Sequence, residues 1–94
     1  MANLHDAYAP GPDVVFRELE GEAVLLNLET GIYFGLNATG LRMWQLIEQH
    51  RTLDRVLALL TREFDAPAAE LEADLLAWVS QLEDQGLLRR EPHA

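Results

Sequence analysis

Neither cysteine nor lysine occurs in the 94 residues, and serine appears once, as Ser80. The missing cysteines exclude disulfides, thiol catalysis and thiolate metal ligands, and they fit a reducing compartment. Without lysine there is no phosphate-loop lysine, and neither G-x-G-x-x-G nor G-x-x-x-x-G-K-[ST] is present. Ser80 lies within a helical pattern with no positioned base beside it, so a serine nucleophile is not readable. His5, His50 and His93 stand singly, outside any zinc spacing, and His50 is expected at a helix C-terminus, where its ring suits the dipole. Long apolar runs are also missing, and no stretch approaches the roughly 20 residues of a membrane span. The opening "MANLHDAYAPGPD" shows no basic n-region and no apolar h-region. A cytoplasmic protein is expected, with no cofactor and no catalytic residue.

What is abundant is acid. Sixteen Asp and Glu face seven arginines, giving a net charge of −9. Such a surface repels phosphate backbones and anionic lipid, so neither nucleic acid nor membrane is expected as a partner. Hydrophobic residues make up 49% of the chain, enough for one small globular domain.

Residues 1–12 read as a mobile arm, with Pro10, Gly11 and Pro12 together and no period visible. A single domain is expected over 13–90, then a tail over 91–94. "DVVFREL" and "EAVLLNL" have strand texture, joined at Glu20-Gly21-Glu22. "IYFGL", Ile32–Leu36, follows across Glu29-Thr30-Gly31, and a three-residue loop there suits a hairpin. That loop pairs Leu28 with Ile32, Leu26 with Phe34 and Val24 with Leu36, and turns all six to one face. Asn27 and Tyr33 would take the other face, with Leu25 opposite Gly35. A three-residue first loop adds Val14 and Phe16 to the apolar side; a two-residue loop puts Val15 and Arg17 there instead.

Three helices follow. Asn37 suits the N-cap of the first, whose inner face holds Gly40, Met43, Trp44 and Ile47. Thr52 caps a second with Leu53, Val56, Leu57, Leu60 and Phe64 at helical spacing. Pro67 opens a third carrying Leu71, Leu75, Trp78, Val79 and Leu82, and Gly86 stops it. "LLRR" reads as a short strand or a packed tail. The fold class is α+β: a three-stranded antiparallel meander followed by three helices, winged-helix-like in outline.

In meander order the third strand is an edge, and Ile32–Leu36 contain none of the charge or proline that usually discourages strand addition. Such an edge can accept an extended peptide, with Gly35 allowing close approach. It can equally be covered by the chain's own arm or form the seam of a homodimer. A winged-helix DNA reader would need a basic face; Arg51, Arg55 and Arg62 are the best available, and Glu48, Asp54 and Glu63 interrupt them.

From Val14 to about Leu88 the chain resembles the PqqD-like family. The resemblance is carried by "TGIYFGLNATG" with Trp44 after it, by "FD" at 64–65, by Asp74 leading an apolar helix, and by the terminal "GLL". It implies a winged-helix-like, non-catalytic domain that binds the leader segment of a ribosomally made precursor peptide. In that family the leader lies along the third strand, in a groove beside the third helix. The implied walls are Ile32, Tyr33, Phe34, Gly35 and Leu36 on the strand, and Leu71, Asp74, Leu75 and Trp78 on the helix. Asn37 and Thr39 match its cap motif. The implied partners are the leader and a modifying enzyme. "ETGIYFGLN" is more similar to stand-alone lasso-peptide domains, which serve a leader protease and a cyclase, than to quinone-type members, which serve a radical enzyme.

Overall fold

The structure is a computed structural model that describes residues 2–20 and 22–92. Its elements are β1 (Ala7–Pro10), β2 (Val14–Leu19), β3 (Glu22–Asn27), β4 (Tyr33–Leu36), α1 (Ala38–His50), α2 (Leu53–Glu63), α3 (Ala68–Asp84) and β5 (Leu88–Glu91). β2, β3 and β4 form the expected antiparallel meander, with β3 in the middle and β4 at an edge. The three helices follow it, so the α+β class and the element order agree with the sequence reading.

The register differs by one residue. Leu25 pairs with Phe34 and Leu26 with Tyr33. Asn27 donates its backbone N–H to the Ile32 carbonyl at 3.0 Å, leaving a four-residue loop, Leu28–Gly31. A one-residue slip exchanges the faces of a strand. Ala23, Leu25 and Asn27 are therefore the buried residues of β3, and Val24 and Leu26 lie on the opposite face.

The reason is Asn27, which is only 5% exposed. Its Nδ2 donates to the carbonyls of Gln85 (3.2 Å) and Gly86 (3.4 Å), just beyond α3. Its Oδ1 accepts the backbone N–H of Glu29 at 2.9 Å and of Thr30 at 3.4 Å. A carboxamide satisfied at both ends is buried without penalty, whereas hydropathy alone had placed Asn27 outside. The loop between β2 and β3 is two residues long, since Leu19 pairs with Glu22; Gly21 lies outside the described residues. The shorter loop and the flipped β3 compensate, so Val14 and Phe16 still pack against the core.

Residues 2–12 are not the free arm expected from their composition. β1 pairs with β5 in a separate two-stranded sheet, and Tyr8 is fully buried. Asp6 and Leu4 accept the backbone N–H groups of Leu53 (3.0 Å) and Asp54 (2.9 Å) through their carbonyls. These bonds satisfy orphan donors at the start of α2. Thr52 occupies the N-cap position without a side-chain bond. The Tyr8 hydroxyl donates to Glu83 Oε1 at 3.0 Å and accepts from Arg90. Burial pushes the phenol above its ordinary pKa, opposed by the hydrogen bond from Arg90. The expected tail contributes Glu91 to β5; residues 93 and 94 lie outside the described residues.

Helix ends follow local chemistry. Asn37 Oδ1 accepts the Gly40 N–H at 2.7 Å, as an N-cap should. At the end of α3, Gly86 has φ +73, Leu87 N–H reaches the Leu82 carbonyl (2.9 Å) and Gly86 N–H reaches Glu83 (3.0 Å). This is the Schellman arrangement, with Leu87 buried beneath it. The core includes Tyr8, Leu25, Trp44, Leu46, Ile47, Leu53, Val56, Leu60, Leu75, Val79, Leu82 and Leu87.

Candidate functional site

The Asn27–Ile32 hydrogen bond fixes which backbone groups β4 turns outward. In an antiparallel ladder, residues bond inward and outward alternately. Ile32, Phe34 and Leu36 therefore face β3, and Tyr33 and Gly35 direct their N–H and C=O toward the open side of β4. β1 pairs with β5 and does not add to this edge.

α3 lines the far side. Phe34 and Gly35 share a hollow of about 450 Å³ with Asp74 and Trp78, closed at its head by Asn37, Thr39, Gly40 and Met43 of the α1 start. Ile32 belongs to a second hollow of about 510 Å³, whose other walls include Glu83, Gln85 and Gly86 at the end of α3. β4 and α3 thus run antiparallel, the start of the strand facing the end of the helix, and the two hollows, which share no lining residue, lie one after the other along the trench between them. Gly40 allows the closure at the head. A β-carbon built there would lie 3.2 Å from Asn37 Oδ1 and 3.4 Å from Trp78 Nε1.

The residues nominated from the sequence divide into two groups. Ile32, Phe34, Gly35, Asp74 and Trp78 line the trench, whereas Tyr33, 74% exposed, turns its side chain to the sheet face away from the helices, beside Leu26. Leu36 is half-buried at the end of β4, against the core. Leu71 and Leu75 are buried and hold α3 on the core instead of facing the trench. Sequence reasoning missed Gly40 and Met43 as lining, although both were placed on the inner face of α1. It also missed Asn27, because only the Schellman turn reveals what that carboxamide binds. Asp74 is exposed and Trp78 half-buried, so the trench offers an indole and a carboxylate beside an uncharged strand. Among the described residues no group of three or more His, Cys, Asp or Glu side chains is placed to hold a metal ion. No helix among them is long and apolar enough to cross a membrane. Of the arginines weighed for a nucleic-acid face, Arg51 is paired with Glu91.

A winged-helix-like domain with one open sheet edge walled by a helix can take an extended peptide as an additional strand. The family model for coenzyme PQQ synthesis protein D (PqqD) matches residues 22–88, and the chain belongs to that family. Among solved structures it is similar to TbiB1 in complex with the TbiA(beta) leader peptide, at 33% identity and TM-score 0.79, covering 90% of this chain and 96% of that one. Another, described as lasso peptide synthetase B1 complexed with the leader peptide, matches at TM-score 0.80 over 88% of this chain and 98% of that one. At 24% identity the latter speaks for the shared fold. No curated protein matches the chain.

Proposed function

We propose that this protein captures the leader segment of a ribosomally made precursor peptide by strand addition to β4. It then presents the peptide to modifying enzymes, itself contributing no catalysis. The observation that carries this reading is the outward-facing backbone of Tyr33 and Gly35 on an edge free of charge and proline, with α3 as the opposite wall. Main-chain bonds would supply affinity, and the two hollows would read alternate side chains of the guest. Asp74 and Trp78 act as the helix-side contacts, and Leu71 and Leu75 support them from the core. Docking raises the effective concentration of the precursor at an enzyme's active site.

Both structural relatives are leader-peptide complexes by description, and one is a lasso peptide synthetase subunit. They favour the stand-alone lasso type, working in the cytoplasm with a leader protease and a cyclase. The test is an NMR titration with a synthetic precursor leader peptide. The amides of Tyr33 and Gly35 and the Trp78 indole should shift together and saturate. Saturable binding that moves β2 amides and leaves β4 unchanged would overturn the placement, and no binding at millimolar peptide would overturn the function.

A further inference from the structure

The Ile32 end of the trench is braced from behind by a buried hydroxyl. Tyr8 is fully buried, where phenylalanine would fill the same ring space with no polar group to satisfy. Its hydroxyl donates to Glu83 Oε1 at 3.0 Å and accepts from Arg90 Nε and Nη2 at 3.3 and 3.2 Å. The Arg90 guanidinium lies 5.8 Å from the ring centroid and 3.6 Å from Asp6. Its direct approach to Glu83 Oε1 stops at 3.6 Å. The phenol thus stands between cation and carboxylate and keeps the pair from closing into a hydrogen-bonded salt bridge. Glu83 and Arg90 both line the hollow of about 510 Å³ that Ile32 enters from β4.

We propose that Glu83 reads a lysine or arginine of the guest leader, at the guest position opposite Ile32, and that Tyr8 is its positioning residue. The proposal rests on the leader-binding reading above and names the chemistry that one end of the trench selects. Position follows from the ladder. Residues opposite one another across a strand pair turn their side chains to the same face. Ile32 and Phe34 face the helices, so the guest residues opposite them do so too, two places apart. The one opposite Phe34 meets Trp78, and the one opposite Ile32 meets Glu83.

The sign of the guest side chain follows from its surroundings. Asp13, Glu29 and Asp84 also line this hollow, and Arg89 is the lining cation outside the Tyr8 network. None of those three carboxylates makes an ion pair among the described residues. α3 ends here with Glu83 and Asp84 and has no basic residue in its last turn, although a helix C-terminus favours cations. A cation from outside relieves that mismatch. Ile32 and Leu88 supply apolar surface in the same hollow, on which the stem of a long basic side chain can lie. Acid alone would not distinguish this end of the trench on so acidic a protein; the phenol-held carboxylate does.

The experiment uses a synthetic precursor leader peptide made as a positional series, each residue in turn replaced by Lys, Gln or Glu. Every member is titrated into the full chain, and intermolecular NOEs to the Ile32 methyl groups identify the guest residue opposite it. At that position the parent should prefer Lys over Glu by at least about tenfold, and added salt should shrink the ratio. Glu83→Gln should reduce the ratio to about threefold or less. Tyr8→Phe, which lets Arg90 close on Glu83, should bring it between those values. The Gln-bearing peptide should bind the parent and both variants within about twofold, a result that damage to the fold would not give. A Lys preference that survives Glu83→Gln would overturn the proposal, and one that survives Tyr8→Phe would overturn the positioning role. A preference found only opposite Phe34 would assign it to Asp74 instead. Binding with no charge preference at any position overturns this inference and leaves the leader-binding reading standing, whereas a series that does not bind at all overturns both.

Discussion

The three-stranded sheet ends in β2 on one side and β4 on the other, and the two margins are built differently. Along β2 the outward backbone groups belong to Val14, Phe16 and Glu18, by the same alternation that selects Tyr33 and Gly35 on β4. The Val14 N–H is already taken by the Gly11 carbonyl at 3.3 Å, and Arg17 and Glu18 set exposed charges into the strand. β4 carries no charge, and α3 faces it across a trench. Both are edges by topology, so topology alone does not make a docking site. What distinguishes β4 is unoccupied strand chemistry combined with an opposing wall.

The most disruptive way to break that contrast is to fill the head of the trench. Gly40→Val should push the Asn37 cap and Trp78 apart. The expected cost is about 1–3 kcal/mol in denaturant unfolding, with leader affinity reduced more than about tenfold. Trp78→Ala removes the helix-side wall and leaves the strand intact. Its titration should weaken about tenfold, on the scale of a buried aromatic anchor, with a smaller loss of stability because the ring is only half-buried.

Tyr33→Ala sharpens the contrast from the strand side. The ring is 74% exposed, so the unfolding midpoint should not move. Leader binding should weaken by about two- to fivefold, as for one aromatic cross-strand contact. The smallest effect lies far from either edge. Arg42 bonds the Glu63 carboxylate at 2.6 and 2.9 Å, tying α1 to α2. These bonds hold the Glu63 pKa below its ordinary 4.5. The pair therefore stabilises the fold at pH values above 4.5, and that contribution disappears as pH falls through the lowered value. Glu63→Gln should unfold slightly earlier than the parent at neutral pH and together with it in strong acid. Solvent exposure of the pair keeps the difference small, and leader affinity should be unchanged.

Much of this was legible before the structure. Turn residues and helical spacing located the meander, the three helices, the Asn37 cap and the Gly86 stop, because those signals are local. The uncharged texture of Ile32–Leu36 marked the unusual edge for the same reason. What could not be read was anything set by contacts distant in sequence. Asn27 is buried because two carbonyls 58 and 59 residues away need its amide, and that contact decides which face of β3 is inside. The N-terminal residues look unstructured by composition. They are ordered by a strand partner at the other end of the chain and by the start of α2. Leu71 and Leu75 shared a helical stripe with Trp78, and periodicity does not separate the middle of a stripe from its margin.

Strand addition to β4 is best examined with proline, which deletes a backbone N–H and is tolerated only where that N–H faces outward from a sheet edge. Gly35→Pro and Glu18→Pro apply the same lesion to the two margins, and neither removes a bond within the sheet. The measurement is calorimetric titration of the synthetic leader into both variants, each shown to be folded. Affinity should fall at least about tenfold for Gly35→Pro, the cost of an unmade main-chain bond in a shielded site, and stay within about twofold for Glu18→Pro. Unchanged affinity in Gly35→Pro, or equal losses in both, would contradict the account.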